Sequence, residues 1–285
     1  MERRNFIRLS TTAIGALTIP RVANGLKFEA INKNADDKIL LGNTGIEVSR
    51  LAVGTGSSGW GGSSNQTRQL GLKGLADLLH YAYDHNVYFW DSADQYGTHP
   101  HLKEALKTVP REKVVILTKT HASTEKEMKE DLDRFRKEIG TDYIDIVLLH
   151  CMTKENWPEL KQGAMDVLSV AREDKIVRAH GVSCHTFPAL QAAAKSKWVQ
   201  VDLARINYAG VVMDSGVDAV SSLLTEMNHS GKAIIGMKIL GDGKLAGSID
   251  KSLKFALTQS YFDSFTIGFE NKEQFMDVVK RISSY

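Results

Sequence analysis

The 285-residue sequence is poor in cysteine and proline and has no long run of residues of one charge sign. Its two cysteines are too few for a disulfide framework or for a zinc site built from cysteine ligands. Its 36 basic and 34 acidic residues leave a net charge of +2, which argues against nucleic acid as a partner. With 42% hydrophobic and 25% charged residues, the composition is typical of a globular protein.

The N-terminal segment 1–25 has a different character from the rest of the chain. Residues 3–8 read Arg-Arg-Asn-Phe-Ile-Arg, and a mildly apolar run follows at 9–19. This run is too short to cross a bilayer, which takes about 20 residues in a helix, but it suits the centre of an export signal. The pattern resembles a twin-arginine signal, although Glu2 replaces the usual Ser or Thr. We therefore predict export to the bacterial periplasm, with the signal removed or kept as an anchor; the alternative is a frayed basic terminus.

From about residue 38 the chain alternates apolar segments with amphipathic ones. The turn residues at 43–45 predict a β-hairpin over 38–49. Eight strand–helix units follow, with strands predicted at 50–56, 87–93, 114–120, 143–151, 176–184, 201–208, 233–240 and 264–269. Strands that are apolar nearly throughout, each followed by a helix, imply a parallel sheet covered by helices. We predict one domain at 38–285, an α/β protein folded as a (β/α)8 TIM barrel with an N-terminal β-hairpin.

The helical segments also predict which residues face the barrel. The third helix should bury Met128, Leu132, Phe135 and Ile139, which are spaced by four, three and four residues. In the same way, the first helix should bury Leu72, Leu75, Leu79 and Ala82.

A glycine motif after the first predicted strand matches the pattern of a dinucleotide-binding fingerprint. Residues 54–59 read Gly-Thr-Gly-Ser-Ser-Gly, which satisfies G-x-G-x-x-G. In a doubly wound sheet a helix opens at this loop, so that its N-terminal amides meet a pyrophosphate. Here residues 60–64 intervene and the helix is expected nearer Thr67. A glycine-rich loop at a barrel mouth is the better interpretation.

Polar side chains stand at the ends of three consecutive predicted strands. Asp91 ends the second strand and runs on to Tyr96, Lys119 ends the third, and His150 ends the fourth. Singly, each has a structural explanation as a turn cap, a packing residue, a solvated cation or a core histidine. Active sites of barrels lie at the C-terminal ends of the strands, so together the four side chains are expected to converge.

These four residue types suit proton transfer to a carbonyl oxygen. The pKa of a free tyrosine, about 10, is high for a proton donor near neutral pH. We expect the ammonium of Lys119, paired with Asp91 and within hydrogen-bond reach of the Tyr96 hydroxyl, to lower that pKa. His150 would orient the substrate carbonyl. Because no side chain supplies hydride, the chemistry also requires a cofactor.

At these positions the chain resembles the aldo-keto reductase family. The family pattern Asp-x-Ala-x-x-Tyr-Gly appears at 91–97, and Gly-Val-Ser appears at 181–183. The resemblance covers about residues 38–284 and implies a TIM barrel with NAD(P)-dependent carbonyl reduction or alcohol oxidation on an aldehyde, ketone or sugar. It assigns the catalytic roles to Asp91, Tyr96, Lys119 and His150.

The cofactor positions match the family less well. Cys184 replaces a common Asn, Arg205 a Gln, and Met237 an aromatic residue. The residues that the resemblance or the strand ends suggest for cofactor binding are Gly54, Thr55, Ser183, Arg205, Met237, Lys238, Gly268, Glu270 and Lys272, with Trp60 as a wall of the substrate pocket. Lys272 would suit a 2′-phosphate and Glu270 a free 2′-hydroxyl, so the choice between NAD and NADP stays open.

Three further alternatives bear on the site. A metal site among His99, His101, His121 and His185 lacks convincing ligand spacing, so no metal is predicted. Cys151 and Cys184 are expected to be free thiols, since parallel strands rarely suit a disulfide. A non-catalytic barrel that binds nicotinamide as a redox sensor or structural partner is the alternative to an enzyme. Beyond its substrate, the predicted partner is the twin-arginine export machinery.

Overall fold

The computed structural model describes residues 32–285, so the export signal predicted at 1–25 lies outside the described part. The strands within residues 32–285 are β1 Lys38–Leu40, β2 Glu47–Ser49, β3 Leu51–Gly54, β4 Phe89–Asp91, β5 Val115–Thr120, β6 Ile144–Met152, β7 Val177–Cys184, β8 Val201–Arg205, β9 Ala233–Met237 and β10 Ser264–Gly268. The α-helices are α1 Asn65–Asp84, α2 His99–Ala105, α3 Glu125–Ile139, α4 Trp157–Leu160, α5 Gln162–Glu173, α6 Phe187–Lys195, α7 Val217–His229, α8 Ile249–Thr258 and α9 Lys272–Ile282. Short 3-10 turns lie at Asp94–Tyr96, Arg111–Lys113, Gly241–Gly243 and Ala246–Ser248.

Strands β3 to β10 close into a barrel of parallel strands in sequence order. Closure comes from β10 pairing with β3, where Phe265 lies opposite Leu51. Each strand leads into helical structure that covers the outside, and the predicted (β/α)8 barrel is confirmed. All eight C-terminal strand ends therefore meet at one rim.

The predicted N-terminal hairpin is also confirmed, and it plugs the opposite end of the barrel. Strands β1 and β2 pair antiparallel. Leu41, Ile46 and Val48 are buried in the cluster that fills the barrel interior. The amide of Asn43 donates to the carbonyl of Gly231, just before β9. The hairpin thus seals the N-terminal end and leaves the C-terminal rim as the accessible end.

The helix faces follow the predicted periodicity, with one correction. The four residues expected on α3 are all buried. On α1, Leu75, Leu79 and Ala82 are buried, but the prediction for Leu72 is wrong because this side chain is 45% exposed. Gly71 has a φ of 61° and interrupts the helix, so Leu72 does not continue the stripe. Within residues 32–285, no helix is both long enough and apolar enough to span a membrane.

Candidate active site

A buried ion pair lies at the centre of the rim. Asp91 ends β4 and Lys119 stands near the end of β5, with the lysine side chain 1% exposed. The Lys119 ammonium donates to one carboxylate oxygen of Asp91 and to the carbonyl of Ser92 at 2.6 Å. The other Asp91 oxygen accepts from Thr266 Oγ1 at 3.0 Å. Asp91 and Lys119 are therefore held rigidly by hydrogen bonds from three strands.

Tyr96 and His150 lie beside this pair. Tyr96 ends the 3-10 turn that follows β4, and Lys119 Nζ lies 5.1 Å from the centre of its ring. The ring of His150, on β6, meets the Tyr96 ring edge to face with 5.6 Å between centroids. The structure thus brings together the four side chains that the sequence places at three strand ends.

The expected hydrogen bond between Lys119 and Tyr96 is not formed among the described residues. The ammonium is engaged by Asp91 and Ser92 instead. Burial raises the pKa of Tyr96, and the Asp91 carboxylate raises it further. The pKa of Tyr96 therefore lies above its ordinary value, and the prediction of a lowered pKa is wrong for this structure. The phenol is protonated at neutral pH, and the Lys119 ammonium lies near its ring without a hydrogen bond to it.

His150 presents an uncharged imidazole. It is 3% exposed, and its Nδ1 has no hydrogen-bond partner in the described part of the chain. Burial lowers the pKa of His150 well below its ordinary value, and the Lys119 ammonium lowers it further. A neutral imidazole can donate one hydrogen bond to a substrate oxygen without competing with Tyr96 as an acid.

An irregularity in β6 follows His150. The pairing of β6 with β7 shifts between Leu149 and Met152, and Cys151 has a φ of 60°. The buried Ser183 supports this bend, since its Oγ accepts from the amide of Cys151 at 3.1 Å. Such bulges re-aim neighbouring side chains and are common beside active sites. No pattern in the sequence indicated this bulge.

Two further histidines flank His150. His121 stacks on it with 4.9 Å between centroids, and His185 approaches edge to face at 6.5 Å. His121 Nε2 also lies 2.7 Å from Oε1 of Gln95. The sequence suggests both histidines only as candidate metal ligands. Their positions, two residues after Lys119 and directly after Cys184, were the available signal that they share the rim with His150.

A cleft of about 460 Å³ opens beside Asp91 and Tyr96. It lies over the ends of β3, β9 and β10. Five of the predicted cofactor residues line it: Gly54, Met237, Lys238, Gly268 and Glu270. Residues that the sequence did not single out also line it, among them Ser57, Asn65, Asp242, Gln274 and Asp277.

The cleft suits a dinucleotide. Its volume falls within the range of cofactor sites, about 300–1,000 Å³. Its floor is partly apolar, through Met237 and Ile267, and Lys238 supplies a cation suited to phosphate. At Gly268 a Cβ atom would lie 2.2 Å from Ser57 Oγ and 2.8 Å from Gln66 Nε2, so any side chain there would displace these two groups at the edge of the cleft. Residues at the start of α9 extend the cleft, and helix N-termini favour anions.

The other predicted binding residues lie off the cleft lining. Thr55 is buried and donates to the carbonyl of Asp91, while Ser183 supports Cys151. Arg205 binds Asp214 and donates to the carbonyl of His185 at 2.6 Å. Lys272 lies over the ring of Tyr81 at 5.1 Å, and Trp60 is 76% exposed at a loop tip.

Among the described residues, one histidine–carboxylate group approaches the spacing of metal ligands: Asp94, His99 and Glu138. Both ring nitrogens of His99 already have partners, Glu138 at 2.8 Å and Thr118 at 2.7 Å. Arg134 binds Asp94 through two hydrogen bonds. These contacts show that Asp94, His99 and Glu138 belong to a hydrogen-bonded ion-pair network. Both cysteines are free thiols, as predicted.

Comparisons with known proteins show the family to which the chain belongs. Residues 50–267 match the model of the aldo/keto reductase family. The chain is 30% identical over 156 residues to the glycerol 2-dehydrogenase (NADP(+)) of Saccharomyces cerevisiae, covering 53% of this chain and 44% of that enzyme. It is 25% identical over 253 residues to the aldo-keto reductase AFTS1 of Alternaria alternata, covering 74% of this chain and 67% of that protein.

Solved structures show the same fold at low sequence identity. The glycerol dehydrogenase AKR11B4 of Gluconobacter oxydans superposes with a TM-score of 0.69 at 15% identity, covering 88% of this chain and 91% of that one. The holo form of the aldo-keto reductase AKR11C1 of Bacillus halodurans gives 0.70 at 15% identity, covering 87% and 91%. These likenesses support the barrel assignment.

Proposed function

Because the chain belongs to the aldo/keto reductase family, we propose that it is an NAD(P)-dependent oxidoreductase that interconverts a carbonyl compound and its alcohol. The substrate class is an aldehyde, ketone or sugar, or the corresponding alcohol. The observation that carries this proposal is the buried Asp91–Lys119 pair beside Tyr96 and His150, next to a cleft of cofactor size.

The proposed roles follow from the protonation states. The nicotinamide, when bound, supplies the hydride. In the reductive direction His150 donates a hydrogen bond to the substrate carbonyl oxygen, and Tyr96 transfers its phenolic proton to the same oxygen. The resulting phenolate is stabilised by the ammonium of Lys119, 5.1 Å from the ring centre. Burial lowers the pKa of Lys119, and the adjacent Asp91 carboxylate opposes this effect and favours the charged ammonium.

The test is Tyr96→Phe, which removes the proton donor and keeps the ring. Loss of a general acid lowers turnover by about 100-fold or more. Quenching or enhancement of NAD(P)H fluorescence should show that cofactor binding is retained. Wild-type turnover in Tyr96→Phe would exclude Tyr96 as the proton donor. Cofactor binding without turnover in the wild-type protein would instead support a non-catalytic nicotinamide-binding barrel.

The cofactor is NAD(H) or NADP(H), and parallel titrations with both reduced forms distinguish them. The substrate screen should include glycerol and other polyols with their carbonyl forms. Polyols are included because a matched yeast relative is named a glycerol 2-dehydrogenase (NADP(+)).

We also infer that residues 1–25 are a twin-arginine-type signal that carries the folded enzyme to the periplasm. The support is the sequence Arg-Arg-Asn-Phe-Ile-Arg at 3–8 and the short apolar run after it. Replacing Arg3 and Arg4 by Lys should leave the protein in the cytoplasmic fraction of a host with this pathway. Equal periplasmic yields of the two forms would overturn the inference.

A further inference from the structure

The glycine motif at 54–59 has a role in this structure other than binding a pyrophosphate at a helix start. A Cβ atom built on Gly56 would lie 2.2 to 2.4 Å from three carbons of the Tyr96 ring. A Cβ on Gly59 would lie 2.3 Å from Cδ1 and 2.8 Å from Cε1 of the same ring. Two of the three glycines therefore form a surface, without side chains, against which the tyrosine ring packs.

This surface is held in place by backbone hydrogen bonds. The amide of Gly59 donates to the carbonyl of Gly56 at 3.0 Å and closes the turn. The amide of Gly62 donates to the carbonyl of Gln95 at 2.9 Å, which ties the loop to the residue before Tyr96. Gly97, with a φ of 64°, passes so close to this loop that a Cβ would lie 2.0 Å from the carbonyl oxygen of Gly62. The loop thus contacts the chain before and after the tyrosine as well as its ring.

The ring is also approached by the catalytic groups. Lys119 Nζ lies 5.1 Å from the ring centre and the His150 ring lies at 5.6 Å. A ring displaced by a methyl group at position 56 or 59 would have to move relative to both. The Tyr96 hydroxyl would then shift relative to the His150 ring, and under the proposed function both groups must reach the same substrate oxygen.

We propose that Gly56 and Gly59 are positioning residues that fix the ring of Tyr96 by permitting close contact between the loop after β3 and the ring face. The catalytic part of this proposal rests on the proposed function, whereas the contact itself does not. Gly59 is the cleaner probe, because Gly56 also lines the cofactor cleft and Gly59 does not.

The contact is tested by a thermodynamic cycle that needs no turnover. Overpacking a well-filled site destabilises a protein, and for Gly59→Ala we expect the Tm to fall by about 5 °C. In a Tyr96→Ala background the ring is gone and the Cβ keeps only its 3.0 Å contact with the carbonyl oxygen of Gly56, so adding Gly59→Ala should lower the Tm much less than it does in the wild-type protein. If Gly59→Ala alone does not fold, recovery of folding in the double variant supports the proposal equally well.

The matched control is Gly61→Ala, in the same loop. Gly61 has a φ of 62° and nothing within 4 Å of a built Cβ, so alanine there adds backbone strain without touching the ring. Its effect on the Tm should be the same in the wild-type protein and in the Tyr96→Ala background. A Gly59→Ala penalty of undiminished size in the Tyr96→Ala background would overturn the proposal, since the clash would not be with the ring.

The effect of Gly59→Ala on catalysis is tested by measuring kcat and the Kd of NAD(P)H separately. A misplacement of about 1 Å can cost a factor of about 100 in rate, so kcat of Gly59→Ala should fall by that order while the Kd of NAD(P)H stays close to wild type. Gly61→Ala should keep most of its kcat. An unchanged kcat in Gly59→Ala, in an enzyme with measurable wild-type activity, would contradict the positioning role. Absence of wild-type turnover would contradict the proposed function, and the Tm cycle would still decide the contact.

Discussion

The two halves of the barrel rim are built on different principles. The proposed catalytic half, over β4 to β6, holds a buried ion pair with Tyr96 beside it, and a hydrogen bond from Thr266 on β10 also reaches this pair. The proposed cofactor half, over β9, β10 and the start of α9, is an open cleft of about 460 Å³ with a partly exposed lysine. Groups that stabilise a transition state gain from being fixed in advance, whereas a cofactor site must admit its ligand. Substitutions in the first half should therefore affect stability and turnover together, and those in the second should affect cofactor binding alone.

The largest expected effect is that of Lys119→Met. It leaves the Asp91 carboxylate buried without its cation, and breaking a buried pair in this way costs about 3–5 kcal/mol in the free energy of unfolding. Denaturant unfolding followed by circular dichroism measures this cost, and turnover should be lost as well. The control is Lys126→Met on α3, which breaks an exposed pair with Glu130 and should change stability little. Equal losses in the free energy of unfolding in the two variants would show that the buried Asp91–Lys119 pair contributes no more to stability than an exposed ion pair.

The position of the proposed catalytic side chains could be predicted from the sequence because they stand at strand ends. Strand periodicity located the ends of β4, β5 and β6, and the barrel topology brought Asp91, Lys119 and His150 to one rim. The direction of the Tyr96 pKa could not be predicted, because it depends on burial and on which partner takes the ammonium. The bulge at Cys151 could not be predicted either, since it depends on the pairing between β6 and β7.

The cofactor half was predicted less completely because loops and backbone form much of it. Gly54, Met237, Lys238, Gly268 and Glu270 were located through strand ends and family likeness. Arg205 was placed at the correct strand end, but Asp214, nine residues later, binds its guanidinium. Trp60 and Lys272 lie on loop and helix surfaces whose direction no periodicity specifies.

A smaller effect is expected from Lys238→Met in the cofactor half. Lys238 Nζ is bound to Asp242 at 2.8 Å and its side chain is 27% exposed, so it can turn toward a phosphate. Loss of one charge-assisted hydrogen bond should raise the Kd of NAD(P)H about tenfold. The Tm and the kcat at saturating cofactor should change little. Fluorescence titration measures the Kd, with Lys244→Met, an exposed lysine of the same loop outside the cleft lining, as control. A lower Tm in Lys238→Met together with an unchanged Kd would show that Lys238 stabilises the fold and does not bind the cofactor.

The smallest expected effect is that of pH on carbonyl reduction. The neutral phenol of Tyr96 is the active form, so activity is lost as pH rises through its pKa, which burial and Asp91 raise above the ordinary value of about 10. Neutral His150 is also required, so activity is lost as pH falls through its pKa, which burial and Lys119 lower well below the ordinary value. Between about pH 7 and 9 neither group titrates, and kcat/KM for reduction should vary by less than about twofold.

A loss of activity with a midpoint near pH 8 would contradict this prediction. It would mean that Lys119 lowers the pKa of Tyr96 after all, because only a close ammonium could overcome burial and the Asp91 carboxylate. Lys119 and Tyr96 would then move closer together when cofactor and substrate bind. The arrangement described above would be that of the free enzyme only.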